Sequence, residues 1–86
     1  MDIQKQFEEA VADSKTLSEK PSNDTLLKLY ALYKQGTQGD VDSDPPGNPF
    51  DFVAKAKYEA WMAQKGKTKE AAMKDYVDLV QYLKSS

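Results

Sequence analysis

Residues 26–40, LLKLYALYKQGTQGD, predict an amphipathic helix that runs into a glycine-containing segment. At 100° per residue, the large apolar side chains cover an arc of about 220°, wider than the roughly 100° stripe that packs one side of a helix. The residues on this arc are Leu32, Leu29, Tyr33, Leu26, Tyr30 and Leu27. The helix therefore has two apolar surfaces, one more than a single core contact requires.

Tyr30, Tyr33 and Lys34 form a triangle at one end of this arc, because they are three or four residues apart. A tyrosine ring offers a flat stacking surface and a hydroxyl donor, and lysine offers a mobile charge that suits phosphate. This combination is typical of a nucleotide subsite. On composition alone, however, core aromatics beside a lysine with its ammonium in water are the more common arrangement. The residues themselves leave both interpretations open.

Two helices are predicted in the first half of the chain. The first begins after Asp2 as N-cap, shows apolar spacing of three and four residues, and is stopped by Pro21. The second begins after Ser22, which can cap it, and ends near Gly36 or Gln38.

Two more helices follow residues 36–51, a glycine-, proline- and aspartate-rich connection that is long for a helical bundle. The third is predicted over Phe52 to Lys65, with Gly66 ending it in the left-handed conformation. The fourth begins after Thr68, which is its predicted N-cap. Its apolar stripe consists of Ala72, Met73, Tyr76, Leu79, Val80 and Leu83. Four helices and no predicted strand indicate an all-α fold.

Composition restricts the possible functions. The chain of 86 residues is short enough to form a single domain over residues 1–86, with a small core. It lacks cysteine and histidine, which excludes thiolate metal sites and most acid–base or thiol catalysis. Twelve lysines, no arginine and fourteen acidic residues disfavour nucleic-acid binding. The sequence shows no apolar run of membrane-spanning length and no leader pattern, so we expect a soluble, intracellular protein.

Lysines are concentrated in the second half of the chain. Six lysines lie between Lys55 and Lys74 with only two glutamates, which favours either an anion site or a solvated charged face. Lys57 and Trp61 are four residues apart and therefore adjacent on one helix face. A single tryptophan is more often structural than ligand-contacting, and Tyr76, inside an apolar stripe, is expected in the core with a partner for its hydroxyl.

Three motifs taken together identify a family resemblance. LLKLYALYKQGTQGD, followed by PPGNPFDFVAKAKYEAW and KGKTKEAAMKDYVDLV, resembles the acyl-CoA-binding protein family, whose usual form has leucine-tyrosine, two residues, tyrosine-lysine-glutamine-alanine-threonine and then glycine-aspartate. The likeness extends over nearly the whole chain. It implies an up-down-down-up four-helix bundle, in which the second and third helices run parallel and need the long connection as a crossover.

The resemblance also implies roles for individual residues. Tyr33 would stack on the adenine of the ligand, and Tyr30, Lys34 and Lys57 would gather around the ribose 3′-phosphate. Tyr76 would contact the CoA part. The remaining positions that match the family's site and acyl-chain lining are Val11, Lys15, Leu26 and Leu27.

This chain departs from the family pattern at several positions. Gly36 stands where alanine is usual and predicts an earlier end of the second helix, since glycine in a helix costs about 0.5–1 kcal/mol. Pro45 replaces a common basic residue, and the GNPFDF segment is one residue longer than the usual loop. Tyr58 replaces a frequent tryptophan.

The resemblance implies a cytoplasmic, non-catalytic carrier and pool former for medium- to long-chain fatty acyl-CoA, without metal or cofactor. We expect a monomer that makes transient contact with acyl-CoA-using enzymes or membranes and binds no nucleic acid. The alternative is a helical interaction module that docks a partner through its tyrosine-rich surface. A thioester hydrolase is disfavoured because no nucleophile–base pair is visible.

Overall fold

The computed structural model describes residues 2–42 and 44–85, and these residues form helices and connections with no strand among them. The helices are α1 (Ile3–Ser14), α2 (Asn23–Gln38), α3 (Phe52–Met62) and α4 (Lys69–Ser85). They form an up-down-down-up bundle, which confirms the predicted fold class. Residues 39–51 are the crossover between α2 and α3. Within the described part of the chain, no helix combines the length and the apolarity that crossing a bilayer requires.

Each helix begins at a side-chain oxygen that accepts a hydrogen bond from a backbone N–H of the first turn. The four capping residues are Asp2, Ser22, Asp51 and Thr68. Three of these caps, at Asp2, Ser22 and Thr68, were predicted from the sequence and are confirmed. Such caps satisfy donors that have no partner inside the helix, so they fix where each helix begins.

The prediction that the first helix continues to Pro21 is wrong, because α1 ends at Ser14. The backbone N–H of Thr16 donates to the carbonyl of Asp13 at 3.0 Å, and the Thr16 hydroxyl donates to the same carbonyl at 3.1 Å. These bonds reach back only three residues and satisfy a terminal carbonyl. The last turn therefore tightens and the α-helical pattern stops well before the proline.

The third helix is also shorter than predicted, ending at Met62 rather than Lys65. The backbone N–H groups of Gln64 and Lys65 donate to the carbonyls of Trp61 and Met62 at 2.9 and 3.0 Å. These three-residue bonds form turns in place of a fourth helical turn. Gly66 does adopt the left-handed region, with φ of 95°, but after these turns.

Gly36 does not shorten the second helix, and the prediction of an earlier end is wrong. α2 continues to Gln38, and Gly36 is buried against α4. A Cβ added at Gly36 would lie 3.2 Å from Cγ of Met73, so the glycine permits a close approach of the two helices. Packing against α4 outweighs the intrinsic helix penalty of glycine, as tertiary contacts commonly do.

The core lies between α1, α2 and α4. Its buried members are Phe7, Ala10, Leu29, Leu32, Ala72, Tyr76 and Val80. α3 packs on α2 and contributes one buried residue, Trp61. α2 is therefore in contact with α4 on one side and α3 on another, which explains why its apolar residues cover such a wide arc.

Candidate ligand-binding site

An open cavity of about 320 Å³ lies between α1 and α2, with α4 contributing Tyr76. It exists because α1 and α2 each pack on α4 rather than closely on each other. Six of the predicted site residues line it: Val11, Lys15, Leu26, Tyr30, Tyr33 and Tyr76. Ser14 and Leu29 also line it but were not predicted, because they gave no signal in the sequence beyond ordinary helical spacing.

A second open cavity, of about 390 Å³, lies between α2 and α3. The predicted residues that line it are Leu26, Leu27, Tyr30 and Lys57. Its other lining residues, Asn23, Phe52, Val53 and Ala56, were missed. Phe52 and Val53 are 72% and 64% exposed, and this pair of apolar residues in the first turn of α3 was the available signal. Leu26 and Tyr30 line both cavities, so the two adjoin at α2.

Tyr30, Lys34 and Lys57 form a compact group, called here the Tyr30 cluster. The ammonium nitrogens of Lys34 and Lys57 lie 5.9 and 5.4 Å from the centre of the Tyr30 ring, within range of cation–π attraction. Lys34 does not line either cavity, but it lies beside Tyr30, which lines both. Within residues 2–42 and 44–85, neither ammonium group forms an ion pair. The structure thus brings together the three residues whose grouping the family resemblance implied.

Tyr33 belongs to a group of three aromatic rings. It stacks on Phe7 at a centroid distance of 5.9 Å with an interplanar angle of 26°, and its centroid is 6.5 Å from that of Tyr76. Phe7 and Tyr76 meet edge to face at 5.1 Å. Phe7 and Tyr76 are buried, whereas Tyr33 remains 40% exposed. The buried rings hold Tyr33 in place while part of its surface stays open for another planar group.

Tyr76 is a core residue with a satisfied hydroxyl, as predicted from its position in the apolar stripe. Its hydroxyl hydrogen-bonds to Ser14 Oγ at 3.1 Å, and Ser14 Oγ in turn donates to the carbonyl of Val11 at 2.7 Å. Burial raises the pKa of Tyr76 above its ordinary value of 10.0, the Ser14 hydrogen bond opposes this shift, and Tyr33 adds to it. The hydroxyl therefore stays protonated and ties α4 to α1 beside the first cavity.

A second polar group, called here the Gln35 cluster, joins the ends of α2 and α3 and consists of Gln35, Asp40, Gly66 and Lys67. Gln35 is completely buried, and its Nε2 donates to Asp40 Oδ1 at 2.8 Å and to the Lys67 carbonyl at 2.7 Å. The Gly66 N–H also donates to Asp40 Oδ1 at 2.8 Å. This cluster was not predicted from the sequence.

The Asp40 carboxylate is held in its charged form by these bonds. The Gly66 N–H and then the Gln35 amide lower the pKa of Asp40 below its ordinary value of 3.8, desolvation opposes them, and the Lys65 ammonium contributes less. A charged acceptor makes stronger hydrogen bonds than a neutral one. The Gln35 cluster therefore fixes the geometry in which α3 and the turn after it pack on α2.

Trp61 is structural, in agreement with the more common role of a single tryptophan. It is 6% exposed, and its Nε1 donates to the Gly39 carbonyl at 2.9 Å. The Lys34 ammonium lies 5.4 Å from the centre of the Trp61 ring. Trp61 therefore packs beside the Tyr30 cluster. Among residues 2–42 and 44–85, no His, Cys, Asp or Glu side chains form a group that could hold a metal ion.

A bundle of four helices with aromatic rings and lysines around two adjoining cavities defines a class, the small helical ligand-binding proteins. The family model described as Acyl CoA binding protein matches residues 4–80 and identifies the family within this class. The chain belongs to the acyl-CoA-binding protein family.

Individual relatives agree with this assignment. An acyl-CoA-binding protein homolog of Caenorhabditis elegans is 56% identical over 77 residues, covering 90% of this chain and 88% of the relative. The crystal structure of Oryza sativa acyl-CoA-binding protein 2 matches with a TM-score of 0.90 at 44% identity. The match covers 95% of this chain and 90% of the Oryza sativa chain. A rat enoyl-CoA delta isomerase 2 is 49% identical, but the match covers 21% of that enzyme.

Proposed function

We propose that this chain binds medium- to long-chain fatty acyl-CoA and serves as a non-catalytic, monomeric carrier and pool former in the cytoplasm. The observation that carries the proposal is the Tyr30 cluster at the junction of two cavities, where two ammonium groups lie beside one aromatic ring and have no ion-pair partner among residues 2–42 and 44–85. An amphipathic ligand with an anionic, aromatic head and an apolar tail matches this combination. We take residues 1–86 as one binding domain.

The nucleotide end of the ligand is proposed to lie in the cavity between α1 and α2. Tyr33 offers a partly exposed ring for stacking on adenine, a contact worth about 1–3 kcal/mol for other nucleic-acid bases. Lys34 and Lys57 would hold the ribose 3′-phosphate beside Tyr30, since an ammonium group suits phosphate as a mobile point charge. Lys15 and Tyr76 line the same cavity and complete the proposed CoA contacts.

The acyl chain is proposed to follow α2 from Leu26 into the cavity between α2 and α3. That cavity is mostly apolar along its lining, with Leu27, Phe52 and Val53 beside the chain. The exposed position of Phe52 and Val53 makes it a surface groove, so a bound chain would stay partly in contact with water. The family resemblance assigned Leu27 and Val11 to the same site and acyl-chain lining. The structure instead has Val11 in the first cavity and Leu27 in the second.

The absence of catalysis is part of the proposal. The chain has neither cysteine nor histidine, and the hydroxyl of Ser14 is engaged with Tyr76 and Val11 rather than with a base. The isomerase relative does not argue for activity here, because the matched region is a small part of that enzyme. A carrier needs no cofactor. The proposal includes transient contact with enzymes that use acyl-CoA, or with membranes, for loading and delivery.

Calorimetric titration with CoA, octanoyl-CoA, dodecanoyl-CoA and hexadecanoyl-CoA, each below its micelle-forming concentration, tests the proposal. Complete burial of a methylene is worth about 0.8 kcal/mol, so an open groove should give a smaller gain per carbon that levels off when the chain outruns it. Free fatty acid should bind weakly, since it lacks the groups that Tyr33, Lys34 and Lys57 hold. If all four CoA ligands bind alike, the acyl-carrier function is wrong and a nucleotide-binding or docking role replaces it.

A further inference from the structure

The turn Asn48–Asp51 lies at the end of the crossover, immediately before α3. The backbone N–H of Asp51 donates to the Asn48 carbonyl at 3.1 Å, and the N–H of Phe50 donates to the Asn48 side-chain oxygen at 2.9 Å. Pro49, the second residue of the turn, has its φ fixed by its ring. The turn is thus held by hydrogen bonds among its own residues, and its last residue, Asp51, joins it to α3 by accepting from the Ala54 N–H at 3.0 Å.

Phe50 is presented to solvent by this turn. It is 81% exposed, more than any other large apolar residue in the described part of the chain. It lines neither the α1–α2 cavity nor the α2–α3 cavity. Phe52 and Val53 line the second cavity, whereas Phe50 lies outside it and is not part of the proposed acyl groove. An aromatic ring on a pre-formed turn loses little conformational freedom when a partner binds it.

The charge around Phe50 restricts what could cover it. Residues 35–54 contain four aspartates and no lysine or arginine, and the basic residue that lines an open pocket with Asn48 and Pro49 is Lys55 of α3. Asp44, before the turn, and Asp51, its last residue, are both exposed. Cytoplasmic membrane surfaces carry negative potential and would repel this segment, so a lipid surface is a poor occupant. A protein pocket with an apolar floor and a basic rim complements both the ring and the carboxylates.

We propose that the Asn48–Asp51 turn is a second recognition site, which docks a partner protein through insertion of Phe50 into an apolar pocket rimmed by lysine or arginine. Asn48 holds the turn and Pro49 fixes its direction, so the three residues Asn-Pro-Phe act as one unit. The site is separate from the proposed ligand site, and the carrier could dock while loaded.

The test uses the full chain and an isolated EH domain, a small helical adaptor module whose pocket accepts Asn-Pro-Phe turns, chosen with a basic pocket rim. Binding is measured by calorimetry with and without saturating dodecanoyl-CoA. Phe50→Ala should weaken docking by about thirtyfold or more, as loss of a central aromatic anchor does. Asn48→Ala removes the acceptor that holds the Phe50 amide and should weaken docking by about two- to tenfold.

Tyr82→Ala is the matched control, because Tyr82 is an aromatic residue of α4 that is 68% exposed and outside the crossover. It should leave docking unchanged. Asp44→Asn should reduce affinity at low salt and lose that effect at high salt, if the basic rim is engaged. The proposal is overturned if the unmodified chain does not bind the domain at millimolar concentration, or if Phe50→Ala binds as well as the unmodified chain. It is also overturned if Phe50→Ala weakens dodecanoyl-CoA binding as strongly as docking, since Phe50 would then belong to the acyl groove.

Discussion

Lys34 and Gln35 are neighbours on α2, yet they belong to clusters with opposite character. In the Gln35 cluster, both N–H groups of a completely buried amide donate to fixed acceptors on the crossover and on the turn before α4. In the Tyr30 cluster, two ammonium groups lie beside one ring without a carboxylate partner in the described residues. The Gln35 amide thus has both N–H groups paired, while its Oε1 has no partner among the described residues. Lys34 of α2 and Lys57 of α3 are charged groups that lack a carboxylate partner among the same residues.

This difference distinguishes residues that stabilise the fold from residues that are available to bind a ligand. A buried network with satisfied donors rigidifies the fold, because breaking any part of it leaves a polar group without a partner in a low-dielectric environment. Two ammonium groups without a carboxylate partner in the described residues are each able to donate to an anionic ligand. Substitutions in the Gln35 cluster should therefore change stability, and substitutions in the Tyr30 cluster should change affinity.

The largest expected effect is on affinity, from Lys34→Ala and Lys57→Ala. Each should weaken acyl-CoA binding by about tenfold or more, since hydrogen bonds to charged groups contribute about 1.5–3 kcal/mol. Calorimetry measures this loss, and it should shrink for a ligand without the 3′-phosphate. Lys28→Ala, on an exposed part of the same helix, is the matched control and should leave affinity unchanged. Equal losses for ligands with and without the 3′-phosphate would remove these lysines from the proposed role.

Gln35→Ala should have the converse effect, lowering the free energy of unfolding by about 1–3 kcal/mol with little change in affinity of the folded protein. The substitution leaves the Lys67 carbonyl and the Asp40 carboxylate each without one donor. Chemical denaturation measures the change. Gln38→Ala, exposed on the same helix, should stay within about 0.5 kcal/mol of the unmodified chain. Similar stability for the two variants would show that the Gln35 cluster does not hold the fold.

Asp40 should make the stability of the Gln35 cluster depend on acid pH. Its folded pKa is lowered, first by the Gly66 N–H and then by the Gln35 amide, so its contribution is present above its ordinary value of 3.8 and is lost as the pH falls through the lower folded value. Asp40→Asn should melt at a lower temperature than the unmodified chain at pH 7. Melts repeated toward about pH 2 should show this gap shrinking. A gap that stays constant with pH would mean that the charge of Asp40 is not the cause.

The smallest expected effect is from Gly36→Ala, on the helix that carries Tyr30, Lys34 and Gln35. Alanine in a helix gains roughly 0.5–1 kcal/mol over glycine. The new Cβ would lie 3.2 Å from Met73 Cγ, but Met73 is flexible and borders an open cavity of about 500 Å³, into which it can shift. We expect a net stabilisation of about 0.5 kcal/mol, measured by denaturation. A destabilised variant would show that α2 and α4 lie too close together at this position to accommodate the added Cβ.

Recognition of the site from sequence depended on local spacing and on family motifs. Tyr30, Tyr33 and Lys34 lie within one turn of one helix, so their proximity followed from helical geometry alone. Lys57 lies on another helix, and only the resemblance connected it to Tyr30. Its ammonium group lies 5.4 Å from that ring, on the helix that packs against α2.

Other features were out of reach of local patterns. The ends of α1 and α3 were misjudged because three-residue hydrogen bonds, rather than Pro21 or Gly66, stop these helices. Two bonds of the Gln35 cluster join distant residues: Gly66 to Asp40, 26 positions apart, and Gln35 to Lys67, 32 positions apart. The pairing of such distant residues leaves no periodic signal in the sequence.

Helical periodicity, capping residues and the family motifs determined the four helices, their order and the candidate binding residues, because these properties depend on neighbours one or two turns away. Tertiary structure decided which apolar face of α2 meets α4 and which meets α3, that Gly36 is a packing position rather than a helix end, and that two cavities adjoin at Leu26 and Tyr30. Those outcomes depend on how close whole helices approach one another. That distance is set by the combined shape of side chains from several segments, which no single stretch of sequence specifies.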